Sequence, residues 1–297
     1  MNVHTQLTPD VIGLTKTAPF SRRGFMTASA AVAAGYTLAA GPVRADVITT
    51  NTDGLETGEV KIKVADGEMP AYYARPASGQ NPPVILVAME IFGLHEYIRD
   101  VTRRLAKLGA LAVAPDYYFR KGEDLTKITE SQKLMPIVNA KPDAELFSDL
   151  DSTVAWAKSQ GGDTSRLGII GFCRGGRNVL EYAAHNKSLK AAVAFYGFPV
   201  DPEAQKALWP KSPIERVPEI NAAVLGLYGE ADQGIPVSQV EMLKSALQSA
   251  GKTFEIKIYP GAPHGFHADY RASYRKEAAE DAWNQATAWF KKYGVLT

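Results

Sequence analysis

The chain holds one cysteine among 297 residues, and its setting is that of a nucleophile. Cys173 lies in Gly171-Phe172-Cys173-Arg174-Gly175-Gly176, after the apolar run 167–170 and before a stretch with helical spacing. This is the G-x-S-x-G turn with Cys in place of Ser. A sharp strand-to-helix turn needs small residues on both sides of its centre, and it thrusts the central side chain outward. The amides opening the next helix favour a thiolate over a thiol and face charge that develops on a substrate oxygen. The plainer alternative is a buried structural cysteine flanked by turn glycines.

A nucleophile of this kind needs a base and an acid, in the chain order nucleophile, acid, histidine. Tyr228-Gly229-Glu230-Ala231-Asp232 closes an apolar run, and Asp232 stands where the orienting acid is expected, with Glu230 as its competitor. Pro263-His264-Gly265-Phe266 follows the last predicted strand. His264 can take the thiol proton while Asp232 fixes its tautomer. The other histidines after residue 45 are His95, His185 and His267, and none follows a strand end so clearly. His267 reads as supportive or structural.

These three side chains require a scaffold that brings strand ends together. Residues 60–64 alternate apolar and charged positions, as in a half-buried edge strand, and residues 71–74 pair with them across Asp66-Gly67. Apolar runs at 84–89, 110–114, 167–170, 191–196 and 223–228 predict further strands, the inner ones buried on both faces, and 254–259 reads as a last strand. Helical spacing appears at 94–108, 143–159, 177–184, 237–250 and 273–293. Gly109 is a stop for the first of these. Residues 116–142, broken by Pro136 and Pro142, form either a lid over the site or a plain surface excursion. Repeated strand–helix units predict an α/β fold with a mostly parallel central sheet and helices on both faces.

The N-terminus reads as an export address. Ser21-Arg22-Arg23-Gly24-Phe25-Met26 precedes an Ala-rich stretch without formal charge, and Val43 and Ala45 suit a signal peptidase. The pattern resembles a twin-arginine signal. The expected division is therefore a cleaved signal at 1–45 and a single α/β domain at 46–297. The twin-arginine translocase is the expected partner during export, and the expected location is periplasmic or secreted. Cleavage would remove four basic residues (Lys16, Arg22, Arg23, Arg44) and one acidic residue (Asp10), turning a formal charge of +1 into −2. Neither value favours nucleic acid or an anionic membrane as a partner. One cysteine excludes an intrachain disulfide and a cysteine-based zinc cage.

With these motifs in place, the chain resembles the dienelactone hydrolase family of the α/β-hydrolase superfamily over about residues 55–295. The resemblance rests on Glu90-Ile91-Phe92-Gly93, Ala114-Pro115-Asp116-Tyr117-Tyr118, the cysteine elbow, Gly229–Asp232 and His264-Gly265-Phe266. It implies hydrolysis of small esters or lactones by a Cys-His-Asp triad through an acyl-thioester, with no metal or organic cofactor. It implies that Glu90 interacts with the resting thiol, and that the Ile91 and Arg174 amides form the oxyanion hole. It also implies arginines that hold a substrate carboxylate. The nearest here are Arg271, beyond His267 and Ala268, and Arg120, close to the Pro-Asp-Tyr motif. Residues 126–141 hold lysines, Lys133 and Lys141 among them, but no arginine. Phe92, Tyr117 and Phe266 are candidates for an apolar pocket lining. Acyl transfer to an acceptor other than water, or a non-catalytic thiol-sensing module, are the rival readings.

Overall fold

The computed structural model describes residues 47–297, and the signal expected at 1–45 lies outside the described residues. Eight strands form one sheet: β1 Leu55–Val64, β2 Gly67–Pro76, β3 Pro83–Ala88, β4 Leu111–Pro115, β5 Asp163–Phe172, β6 Ala191–Phe195, β7 Ala223–Gly229 and β8 Phe254–Tyr259. Their order is β1-β2-β4-β3-β5-β6-β7-β8. The β1–β2 and β2–β4 pairs are antiparallel, and every other pair is parallel.

Composition explains this arrangement. Every residue of β3, β4, β6 and β7 is buried, as continuous apolar runs demand in a sheet covered on both faces. β1 exposes alternate residues and buries Ile62 and Val64, as expected for an edge. The β1–β2 hairpin turns at Asp66-Gly67 as the sequence predicts, though both strands run longer than expected.

Seven helices are described: α1 Glu96–Lys107, α2 Ser131–Asn139, α3 Asp143–Ser159, α4 Arg174–His185, α5 Pro213–Arg216, α6 Val237–Ser249 and α7 Lys276–Lys292. α1 buries Ile98, Val101 and Leu105 on one face. Gly109 follows α1 with a φ of 98°, a conformation glycine reaches without Cβ strain. Spacing alone starts α4 at Arg177. The helix begins earlier, because the Cys173 carbonyl already accepts the Arg177 amide at 3.2 Å. Residues 116–142 contain α2 and two single turns of tighter helix. Leu125, Leu134 and Val138 are buried in the core, so this excursion is packed onto the domain.

The topology fixes where a site can form. From β3 the chain moves to β4 on one side, then crosses to β5 on the other. The carboxyl ends of β3 and β5 therefore flank the point where strand order reverses, the usual crevice of an open parallel sheet. Register levels the neighbouring ends, pairing Ala88 with Gly171, Phe172 with Phe195, and Gly229 with Tyr259.

Candidate active site

Each residue singled out for chemistry follows a strand at this carboxyl edge. Glu90 and Ile91 follow β3, Cys173 follows β5, Asp232 follows β7 and His264 follows β8. Cys173 has φ 57° and ψ −118°, a conformation that L-residues adopt only under strain. Two backbone bonds hold it there: its amide donates to Phe195 O at 3.0 Å, and its carbonyl accepts from Arg177. Small neighbours are obligatory. A Cβ at Gly175 would lie 2.1 Å from the Ala88 carbonyl oxygen, and one at Gly171 would lie 2.4 Å from the Gly175 oxygen.

The structure brings Cys173, His264 and Asp232 together in a chain. His264 Nδ1 lies 2.7 Å from Asp232 Oδ2. The other carboxylate oxygen, Oδ1, accepts the Gly234 amide at 2.8 Å and the Ile235 amide at 3.0 Å, which fixes the acid. The imidazole also hydrogen-bonds the Cys173 side chain. With Nδ1 turned to Asp232, that contact falls to Nε2. Burial opposes the charged imidazolium, but the Asp232 carboxylate and the Cys173 sulfur outweigh it and raise His264 to about 10. Glu230, the competing acid, is exposed and accepts the Gly261 amide instead.

Glu90 belongs to a second buried cluster. Its Oε1 pairs with Arg271 Nη2 at 2.9 Å, and its Oε2 accepts from the Tyr270 hydroxyl at 2.8 Å. His95 Nε2 lies 3.3 Å from the same Oε2. Burial pushes the carboxyl upward, yet Arg271 and His95 prevail and hold it down at about 2. The resemblance implies a contact between Glu90 and the resting thiol. In the structure both carboxylate oxygens are engaged by these three side chains.

The remaining positions divide by what they touch. Phe92 is partly buried, and its ring lies 4.6 Å from the Arg271 guanidinium carbon. Arg120 is a correction. It forms a bidentate pair with Asp149 of α3, each bond 2.8 Å, and bonds Asp66 of the β1–β2 turn as well. Its guanidinium pins the 116–142 excursion to α3 and to the β1–β2 turn through these carboxylates. Tyr117 is also committed, donating to the Met89 carbonyl at 2.8 Å and accepting from Asn178 at 3.2 Å. Its neighbour Tyr118 is buried too, with its ring edge-on to that of Tyr117 at 4.9 Å. Phe266 is fully buried among Phe195, Tyr196 and Tyr259, a core position rather than a pocket wall. His267 is buried beside the Tyr97 hydroxyl at 2.6 Å, and burial, with Arg104 nearby, lowers it to about 3. It is neutral and structural.

Sequence reasoning missed Tyr196, Tyr270, His95 and Trp209. Tyr196 has a φ of 39° just beyond β6, and its ring meets that of His264 edge-on at 5.0 Å. A tyrosine ending an apolar strand run was the available signal. Trp209 lies 3.6 Å beneath the Arg174 guanidinium, in a region without periodicity, where nothing in the sequence marks it. Among the described residues, no group of three or more His, Cys, Asp or Glu side chains is arranged to hold a metal ion.

An open, mostly parallel sheet that reverses order at β3 and gathers its polar residues at the carboxyl edge is the architecture of an α/β-hydrolase. Residues 69–294 match the model of the Dienelactone hydrolase family. The chain belongs to that family and is a dienelactone hydrolase-like hydrolase. A protein of Methylorubrum extorquens named "Putative carboxymethylenebutenolidase" is 49% identical over 293 residues, covering 98% of this chain and 99% of the relative. A relative of the same name from Escherichia coli K12 is 44% identical over 261 residues, covering 88% and 96%. The crystal structure titled "Putative Dienelactone Hydrolase" from Klebsiella pneumoniae superposes with a TM-score of 0.78 at 46% identity, covering 80% of this chain and 99% of that one.

The electrostatics of the pair give a direct expectation. His264 should titrate near 10 by NMR of its ring protons, well above the ordinary 6.5. Asp232→Asn removes the anion that favours the imidazolium, so the midpoint should fall toward 6.5. A wild-type midpoint at the ordinary value would contradict the pairing.

Proposed function

We propose that the protein hydrolyses small esters or lactones with Cys173 as nucleophile, His264 as acid and base, and Asp232 as orienting acid. The observation that carries this reading is the continuous contact from Asp232 through His264 to a cysteine held in a strained elbow. In the resting enzyme the proton shared by Cys173 and His264 sits on His264 Nε2, as its raised pKa favours. The Sγ electron pair forms a C–S bond to the carbonyl carbon, and the carbonyl π pair moves onto its oxygen. The Ile91 and Arg174 amides receive that oxyanion. Neither amide donates to a backbone carbonyl among the described residues. Collapse re-forms the carbonyl and breaks the C–O bond, and the leaving oxygen takes the proton from His264. Water then attacks the thioester and gives a proton to His264, and the C–S bond breaks. The sulfur returns to its resting contact with His264, which keeps the proton gained from water. Ester and water become acid and alcohol, or a lactone becomes a hydroxy acid.

Phe92 and Tyr196 flank the site with aromatic surface, which suits a small organic substrate. The Glu90–Arg271 pair holds the loop after β3 against the segment after His264, and so sets the position of Ile91. Water as the acyl acceptor separates this reading from acyl transfer. Product analysis with added alcohols would reveal any transfer.

The export reading is part of the proposal. Residues 1–45 would direct the folded enzyme through the twin-arginine translocase and be removed after Ala45, leaving a single domain from Asp46. Cell fractionation and N-terminal sequencing should find a periplasmic chain beginning at Asp46. Arg22→Lys with Arg23→Lys should keep it in the cytoplasm, and a periplasmic double variant would refute the route.

Wild type should hydrolyse p-nitrophenyl acetate and small enol-lactones. Cys173→Ala should lower kcat/KM by at least about a thousand-fold, as for other residues that act as one catalytic unit. Unchanged turnover in that variant would sink the mechanism.

A further inference from the structure

One buried hydroxyl joins the two segments that carry the oxyanion amides. Tyr117 lies two residues beyond β4, at the same carboxyl edge as Cys173, and is fully buried. Its hydroxyl donates to the Met89 carbonyl at 2.8 Å and accepts from the Asn178 side-chain amide at 3.2 Å. Met89 is the residue after β3 and stands two before Ile91. Asn178 lies on α4, four residues and so about one turn beyond Arg174. The hydroxyl therefore ties the loop that carries the Ile91 amide to the helix that opens with the Arg174 amide.

That carbonyl has little freedom. It lies so near the backbone of α4 that a Cβ at Gly175 would come within 2.7 Å of the Met89 oxygen. Tyr117 adds a hydrogen bond to the same oxygen. A peptide unit is planar, so fixing the Met89 carbonyl also fixes the Glu90 N–H. The Glu90 side chain is held separately, by Arg271, Tyr270 and His95. With that plane and that side chain both fixed, the next N–H along the chain, that of Ile91, is aimed in one direction. Burial pushes the Tyr117 phenol well above its ordinary range, so the hydroxyl keeps its proton and remains a donor.

We propose that Tyr117 is a positioning residue for the oxyanion hole: its hydroxyl holds the Ile91 and Arg174 amides at the separation that a tetrahedral oxyanion requires. This rests on the reading of Cys173 as nucleophile and deepens it. Part of the transition-state stabilisation then belongs to a residue whose hydroxyl is committed within the protein and acts through the loop and the helix. Preorganised donors stabilise charge as it appears because they need no reorganisation. Donors that drift apart lose that advantage only in steps that make an oxyanion. A reaction of the Cys173 sulfur that makes no oxyanion should not depend on Tyr117.

Tyr117→Phe removes one oxygen atom and keeps the ring, and two reactions of Cys173 separate its effects. Hydrolysis of p-nitrophenyl acetate passes through an oxyanion. Methylation by iodomethane does not: Sγ forms a C–S bond to the methyl carbon, the C–I bond breaks and iodide leaves. In Tyr117→Phe, kcat/KM for the ester should fall about 10-fold or more, short of the roughly 100- to 1000-fold that loss of a whole oxyanion-hole donor costs. The rate of methylation, followed at Cys173 by mass spectrometry, should stay within about 2-fold of wild type, because no oxyanion forms. Asn178→Ala should shift the ratio of the two rates in the same direction. The double variant should lose no more than Tyr117→Phe alone, because the two side chains act through one hydroxyl. An unchanged ester reaction, a methylation rate that falls in step with it, or additive losses in the double variant would overturn the proposal. If Tyr117→Phe does not fold, the ratio of the two rates in Asn178→Ala decides. Ester turnover that persists in Cys173→Ala would strike the reading of Cys173 and this inference with it. A wild type that needs Cys173 yet is indifferent to Tyr117→Phe would overturn the inference alone.

Discussion

The approach of α4 to the end of β3 is the contact on which the rest of the site depends. With no Cβ at 175, that backbone lies against the Ala88 carbonyl, where a methyl group would come within 2.1 Å. This closeness lets the chain turn at Cys173 from a buried strand straight into a helix. The turn holds the cysteine at φ 57°, and bonds from Phe195 and Arg177 keep it there. The parallel sheet supplies everything else at the same level. Its strands run in one direction from β3 to β8, so their carboxyl ends deliver Glu90, Asp232 and His264 to one edge. Loops that leave that edge can vary, while the scaffold keeps the reacting groups in register.

Two buried charge pairs divide the work at this edge. Asp232 and His264 form one, with the imidazole turned to the sulfur. Glu90 and Arg271 form the other, supported by Tyr270 and His95. Each pair satisfies a charge that burial would otherwise penalise, and each joins segments far apart in sequence. Arg174 breaks the pattern. Every other buried guanidinium near the site faces a carboxylate, and this one faces an indole.

What was legible in the sequence follows from what determines each feature. The elbow, the acid and the histidine each follow a strand, and strand ends in an α/β fold lie at one edge. Local pattern therefore located Cys173, Asp232 and His264. Side-chain partners reached over long separations left no such trace. Arg120 looks like a ligand for substrate because it follows the Pro-Asp-Tyr motif, yet it is claimed by Asp66 and Asp149, distant in the chain. Tyr117 and Phe266 are aromatic residues beside the motifs, and only packing tells that they are core. Trp209 sits in a stretch with no periodicity, so its stack with Arg174 emerges only from the fold.

The central claim is that a covalent bond forms between Cys173 and the acyl group during turnover. Intact-protein mass spectrometry on wild type, quenched in acid while p-nitrophenyl acetate is being consumed, tests it most directly. The account predicts one acetyl adduct that maps to Cys173 and is absent from Cys173→Ala. Ongoing hydrolysis with no adduct on Cys173 under conditions where deacylation limits the rate, or an adduct on another residue that persists in Cys173→Ala, would contradict it.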